Sequence, residues 1–558
     1  MLPAGPLIRQ SRSDCQLRAG VAFGHAPGHK APDVLGAVTH SMSTGDLIIS
    51  ADFGTSGVKI GVVGPDLHLV ATTTASYPLH LPGPSQAEQV PEDWWSALAR
   101  GIARLASDLP DLSQRTGAIV FCAQMCGLVC ADARGVPLRP SLVWLDKRSA
   151  PLMQRVLGGF PRISGYGISN LMRWLPVANG APSHNGMDPT GKMLWVKENE
   201  PETYNRSDYL LDVKDWLLHR ATGEFTTTAD SANLTWLMDT RPGREGWSAS
   251  LARHVGIPLE KLPRIVDGGA IVGGLTPAAA GQLGLRADIP VVAGGGDVSA
   301  TAIGSGAVAD GALHICMSTS SWVAGFFDRR VLSVSHSYAT ITSSIGFRPL
   351  LIATQESAGA ALGWLAEGFD PRQRDAAEGL AEFYDHFGEP QADDPFFLPW
   401  LAGERVPVDE ERLRGAFVGL ALRHGTDAIK RSVIEGVALN TRWAFSKVVA
   451  ERGARSDGPI PLVGGAAANP YLAQSMADAL NRQIRVGDTR MSGVLGAAAM
   501  AAPTLGWYDT VWDAAEVING RDGPVYDPDP TRVSMINDRY GRLETIRKSL
   551  VKLYRKGV

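Results

Sequence analysis

From Leu47 onward apolar and polar residues alternate in short runs before any longer period sets in. The stretch LIISADFGTSGVKIGVVGPDLHLVATTTASYPL predicts a strand over 47–52, a tight Gly/Thr/Ser turn over 54–57, and two further strands split by Gly64-Pro65-Asp66. Pro91-Glu92-Asp93 then opens a segment in which Trp94, Trp95, Leu98, Ile102 and Leu105 recur at helical spacing, and GAIVFCAQ, from Gly117, returns as a buried strand. Meander, helix and strand make an α/β layer, whose ligands belong at turns near strand ends. About 264 positions later GALHICMSTSSWVAGFF repeats the strand-turn-strand unit and aligns Thr55-Ser56 with Thr319-Ser320.

At 558 residues the chain exceeds the ~250–300 residues that one core can serve, so two domains are expected. The 53 Lys+Arg balance 57 Asp+Glu, and no cationic block marks a nucleic-acid surface. Five cysteines are too few for a disulfide scaffold and point to a reducing compartment, the cytoplasm. No window supplies the ~20 apolar residues of a membrane span. Residues 1–45 carry scattered Pro and Gly without a period, and Arg9, Arg12 and Arg18 interrupt any signal-peptide core. They are expected outside the fold, as a disordered extension or as residues preceding a start at Met42.

Three segments carry candidate chemistry. In ADFGTSGVK (51–59), Gly54 and Gly57 allow a turn that aims N–H groups and the Thr55 and Ser56 hydroxyls at one point, while Asp52 adds a carboxylate at the strand end. Such a pairing suits phosphate oxygens joined to the carboxylate by magnesium, and it equally suits an ordinary hairpin. The G-x-x-x-x-G-K-[ST] spacing of a Walker loop is absent. In IPVVAGGGDVSATAIGSGAV (289–308), a strand runs through three glycines into Asp297, placed either to accept a hydroxyl proton or to cap a helix. In GPIPLVGGAAANPYLAQSMADALN (458–481), a strand, Gly464-Gly465 and a helix could admit a purine or ribose, or form a common strand-to-helix turn. Cys122, Cys126 and Cys130 read as buried thiols rather than a metal set, Trp94-Trp95 as helix packing, and His184 as a solvent-exposed loop residue. Ile536, Tyr540, Leu543, Ile546, Leu550 and Leu553 predict a docked terminal helix with basic residues between them.

Residues 187–199, MDPTGKMLWVKEN, resemble the first signature of the FGGY carbohydrate kinases at Met187, Pro189, Lys192, Trp195 and Asn199. Residues 415–435, GAFVGLALRHGTDAIKRSVIE, resemble the second at Gly415, Phe417, Gly419, Ser432 and Glu435, with Ala428 where a polar residue is usual. FFLPWLAGERVPV (396–408) is similar to the xylulokinase branch, and the likeness runs from about residue 46 to about 510. It implies a duplicated ribonuclease-H-like, actin-like ATPase fold, α/β, with two lobes around a central cleft. The lobes would be 46–300, binding sugar, and 301–525, binding ATP, followed by a helix in 526–558.

By that resemblance Asp297 is the catalytic base and Asp52 the acidic residue near the metal and phosphates. Thr55, Ser56 and Thr319 belong to phosphate loops, although Ser318 and Ser321 stand where glycines are usual. Gly359, Gly465 and Asn469 match ATP-contact segments. Gln124, Met125 and Cys126 form a sugar-pocket turn with Gly127, and Trp144, Asp146 and Arg148 carry a W-x-D-x-R pattern. Cys126 replaces the histidine of xylulokinases and Val298 the Asn or Gln that commonly follows the base, so hydroxyl discrimination is expected to differ. The expected reaction is ATP- and Mg2+-dependent phosphorylation of a hydroxyl of a ketopentose or related polyol, with homodimerisation open. Kinases of ribulose, erythritol or glycerol, or a lapsed ATP- and sugar-binding regulator, are the alternatives.

Overall fold

The computed structural model describes residues 45–556 except 164, 370–382, 453–457, 488–489 and 522, so the reading of residues 1–44 lies outside the described residues. The elements used below, in chain order, are β1 (Leu47–Phe53), β2 (Gly57–Val63), β3 (Leu69–Ser76), α1 (Pro91–Asp108), β4 (Thr116–Ala123), α2 (Pro189–Asn199), α3 (Val213–Thr222), β5 (Ile271–Gly274), β6 (Pro290–Gly296) and α4 (Asp297–Gly304). They continue with β7 (Leu313–Met317), β8 (Ser321–Phe326), β9 (Leu332–Ser333), β10 (Tyr338–Thr342), β11 (Pro349–Gln355), α5 (Gly359–Phe369), α6 (Thr426–Arg452), β12 (Ile460–Val463), α7 (Pro470–Leu480), β13 (Ile484–Val486), α8 (Ser492–Ala501), β14 (Val525–Tyr526) and α9 (Pro530–Arg555).

Two sheets organise the molecule. The first has the order β5-β6-β4-β1-β2-β3 and the second β9-β10-β11-β8-β7-β12-β13-β14. In the first, β1, β2 and β3 form an antiparallel meander, and β4 and β6 extend it in parallel beside β1. The second repeats this scheme: β7, β8 and β11 are antiparallel, and β12 and β13 lie parallel beside β7. The short likeness between the two halves is therefore one strand-turn-strand unit at the same place in two copies of one topology.

Alternation along each strand decides the layers. Leu47, Ile49, Ala51 and Phe53 of β1, with Ile119 and Phe121 of β4, face the core that holds Trp94, Leu98 and Ile102 of α1. Ile48, Val120 and Val292 face the opposite core, which is filled by Val494, Leu495 and Met500 of α8. The apolar helix α8 lies in the chain between β13 and β14 of the second sheet but packs on the first. It crosses α4 closely enough that a Cβ on Gly304 would lie 1.9 Å from the Ser492 carbonyl oxygen, and one on Gly496 would lie 1.8 Å from that of Ala300. Both positions must be glycine for these helices to meet.

At the other end α9 docks through Ile536 and Leu543, and through buried Arg539, whose guanidinium meets Glu435 of α6 at 2.7 Å. None of the described helices is long and apolar enough to cross a membrane.

Candidate functional site

Strand order places the predicted carboxylates together. Asp52 of β1 pairs with Cys122 of β4, Cys122 pairs with Gly295 of β6, and Asp297 lies two residues past Gly295. The two aspartates thus flank the C-terminal end of β4, where ligands of parallel sheets gather. Asp52 Oδ1 accepts a 3.1 Å bond from the Cys122 thiol, and Lys59, its cross-strand partner, brings Nζ to 3.7 Å from Oδ2. A Cβ on Gly493, in the first turn of α8, would lie 2.7 Å from the same carboxylate. Lys59 closes the motif 51–59, yet its role shows only through hairpin register, which pairs positions equidistant from the turn.

Asp297 opens α4. The helix N-cap is Gly296, without a side-chain cap bond, so Asp297 is not the capping residue that the sequence left open; its Oδ1 accepts the Val298 N–H at 2.9 Å. The preceding glycines are required sterically: Gly294 has φ +69 with no room beside the Phe121 carbonyl, and a Cβ on Gly296 would collide with Met125. Asp230, which the motifs did not point to, fixes this strand end by accepting the Gly296 N–H at 2.7 Å. Asp297 is half-buried, and burial, followed by the charges of Asp52, Asp212 and Asp230, pushes its pKa up to about 7 against the opposing Val298 N–H. The Val298 side chain packs on the apolar core rather than offering a polar group.

The 124–127 turn sits through Met125 against Gly296, the residue before this carboxylate. Gln124 donates to Gln89 at 2.7 Å, while its own Oε1 is buried without a hydrogen-bond partner among the described residues. Cys126 adopts φ +64, an uncommon conformation for a side-chain-bearing residue, and burial together with the charge of Asp188 raises its thiol pKa far above the ordinary range. The first signature explains what holds this turn: Lys192 of α2, fully buried, donates Nζ to the carbonyls of Cys126 and Met187, both at 2.5 Å. From the other side Asp212, the cap of α3, accepts the Gly127 N–H at 2.8 Å.

The 54–57 turn is tied from outside. Tyr77 donates to the carbonyls of Gly54 and Gly57, Gln89 to the Thr55 carbonyl at 2.7 Å, and the Trp144 indole to Thr55 Oγ1 at 2.9 Å. Asp146 is fully buried and engaged by the Ala87 N–H at 2.8 Å and by Arg148, which also reaches Glu88 at 2.7 Å. It anchors the loop carrying Trp144 and does not line open space. His184 differs from expectation: it is half-buried, with its ring 3.7 Å from that of Tyr166.

In the second half the predicted ATP segments converge. Ser318 closes the β7–β8 turn by donating its N–H to the Ser320 carbonyl at 2.9 Å, and neither Ser318 nor Ser321 has positive φ, so the missing glycines cost this turn no backbone strain. Gly359 donates to the Ser318 carbonyl at 2.8 Å, and the N–H groups of Ala358 and Ala360 both reach the Thr319 carbonyl. A Cβ on Gly359 would strike the Ser318 carbonyl oxygen at 2.4 Å, and one on Gly464, at φ +94, would strike that of Met317 at 2.3 Å. A Cβ on Gly465 would meet nothing within 4 Å. Asn469 caps α7, accepting the Leu472 N–H at 3.0 Å. Cys316, near the end of β7, is buried, and burial first, then the charge of Asp297, raises its thiol pKa.

The AGERVPV segment braces the same region: Glu404 accepts from Asn440 of α6 at 2.6 Å and from the Glu356 N–H at 3.1 Å, just before α5.

Two copies of one α/β topology, with two carboxylates at neighbouring strand ends of the first, make up an actin-like ATPase fold. The profile of the FGGY family of carbohydrate kinases matches this chain, its N-terminal domain over residues 47–304 and its C-terminal domain over 320–505. The chain belongs to that family, and is a phosphotransferase acting on sugar hydroxyls. The xylulose kinase of Escherichia coli (strain K12) is 32% identical over 82% of this chain and 89% of its own. Among solved structures, the gluconate kinase of Lactobacillus acidophilus superposes with a TM-score of 0.79 at 23% identity, covering 92% of this chain and 99% of its own. The glycerol kinase of Plasmodium falciparum, solved with ADP, gives 0.76 at 18%, covering 89% and 97%. At those identities the superpositions speak for the fold.

Proposed function

We propose that the chain transfers the γ-phosphoryl group of ATP to a hydroxyl of a ketopentose such as xylulose, with Asp297 as general base. The observation that carries this reading is the placement of Asp297 and Asp52 on either side of the end of β4. We assign residues 46–300 to sugar binding and 301–525 to ATP.

Phosphoryl transfer through a loose transition state needs in-line positioning and charge stabilisation. The sugar oxygen attacks the γ-phosphorus, the bond to the β–γ bridging oxygen breaks, ADP leaves, and the hydroxyl proton passes to Asp297. A carboxyl group whose pKa is about 7 is suited to that transfer near neutral pH. Lys192 and Asp212 position the 124–127 turn beside it. Thr55 accepts from Trp144 and so keeps its own hydroxyl proton for a phosphate oxygen, with Ser56 and the N–H groups of the turn. On the ATP side the Thr319 turn, Gly359 and the open face of Gly465 receive the nucleotide.

Asp52 presents hard oxygens whose protein partners are a thiol and a lysine 3.7 Å away, a donor set that fits Mg2+ directly or through water. Bound there, the ion would neutralise charge on the phosphates. Asp297 and Lys59 act on their own account, as proton acceptor and as a fixed positive charge.

The substrate is tested by a coupled ADP-release screen over ketoses, polyols and aldonates. The reading expects highest kcat/KM for a ketopentose and loss of sugar-dependent ADP formation in Asp297→Ala with ATP affinity retained; unchanged turnover in that variant would overturn the assigned base.

A further inference from the structure

Between α9, α6 and Val408 lies a cavity of about 440 Å³ lined by none of the residues assigned above to sugar, phosphate or nucleotide. Five cationic side chains line it, Arg547, Lys548, Lys552, Arg555 and Lys556, against one carboxylate, Glu544. Spacing of three, four and eight residues puts the first four on one stripe of α9, with Lys556 just past its end, opposite Trp443 of α6.

Arg547 is the informative member. It is 3% exposed, stacks on Trp443 at 4.2 Å and Tyr540 at 4.9 Å, and none of its three guanidinium nitrogens meets an acceptor in hydrogen-bond geometry among the described residues, although Tyr540 and Glu544 favour its charge electrostatically. Arg539, two turns earlier on the same helix, is the internal comparison. It stacks equally on Phe396 at 4.4 Å, but its N–H groups reach Glu435 and the carbonyls of Ala392 and Asp394. A guanidinium held for structure is supplied with acceptors, because burying its donors unpaired costs free energy. At Arg547 the described residues supply two aromatic faces, four further cations and one carboxylate, Glu544, which is already shared with Lys548 at 3.6 Å.

We propose that this cavity binds a small phosphorylated anion, whose phosphate oxygens pair with Arg547 in fork geometry and whose charge is matched by Lys548 and Lys552. Planar bidentate recognition is what distinguishes arginine from lysine in such a role. The cavity's size suits a small ligand, and Trp443 offers a flat wall.

The test is calorimetric titration of the full chain with inorganic pyrophosphate, in the presence of a saturating non-hydrolysable ATP analogue. We expect one site, weakened when salt rises from about 50 to about 200 mM, and weakened at least about tenfold in the double variant Lys548→Glu, Lys552→Glu. Both lysines are exposed, so this variant should keep its kinase kcat and KM in the absence of pyrophosphate. Arg547→Met should lose binding altogether. Should that variant fail to fold, the lysine variant decides. Absence of binding up to about 10 mM, binding abolished by the ATP analogue, or equal affinity in the lysine variant would each overturn the proposal.

Discussion

Replacing Asp52 with Asn isolates the electrostatic coupling between the two strand-end carboxylates. β1 and β6 are separated by β4, so at ~4.8 Å per strand step the two backbones lie about 10 Å apart. Two unit charges at ~10 Å in an effective dielectric of ~20 repel by ~1.7 kcal/mol, or about 1.2 pKa units. Asp297 is pushed up to about 7 by burial first and by Asp52 next, so neutralising Asp52 should bring the Asp297 pKa down by roughly one unit. The assay is the pH dependence of kcat/KM for the best sugar, which reports the free enzyme. In the parent the profile should fall with slope one on the acid side of about pH 7, reaching about a hundredth of its plateau near pH 5. In Asp52→Asn the plateau drops, because a phosphate-side carboxylate is lost, while the acid limb moves about one unit lower. An unmoved limb would refute the coupling, and a parent profile flat from about pH 5 to about pH 8 would refute Asp297 as the base. Stability gives an independent reading. A carboxyl whose folded pKa is raised favours the fold while protonated, and that contribution fades as pH climbs through about 7. Asp297→Asn should therefore raise Tm relative to the parent above pH 7 and leave it little changed near pH 4; the opposite order sinks the assignment of its environment.

Lys192→Met removes the ammonium shared by the Cys126 and Met187 carbonyls; we expect a loss of about 1–3 kcal/mol in denaturant unfolding and a higher sugar KM, with ATP KM unaltered. Glu435→Ala strands the buried Arg539 and should cost about 3–5 kcal/mol, seen as a lower urea midpoint, with kcat of the folded fraction retained. Gly359→Ala and Gly465→Ala form a contrasting pair. The first drives a methyl into the Ser318 carbonyl and should lower both Tm and ATP affinity, whereas the second meets nothing within 4 Å among the described residues and should raise ATP KM at constant Tm.

What a reader of the chain alone could recover follows from how far each signal reaches. The meander 47–76, its turn and the strand into Asp297 were legible because alternation and turn chemistry are local. The signatures marked Lys192 and Glu435 as special without saying why. One reaches from its helix to the turn at Cys126 and the other to Arg539 of the terminal helix, and neither contact leaves a trace in nearby sequence. Asp230 and Lys59 went unremarked for the same reason: a buried carboxylate on a strand-end amide, and a cross-strand lysine, are ordinary residues until pairing is known.

Local composition, then, dictates which segments become strands, helices and glycine-lined turns, since each depends on residues a few positions apart. The meeting of Asp52 with Asp297, 245 positions on, depends instead on β1, β4 and β6 lying side by side, and the laying of α8 across the first sheet depends on glycines at 304 and 496 admitting a backbone contact. Burial and mutual repulsion arise from that assembly, and they turn an aspartate with an ordinary affinity for protons into one poised near neutrality.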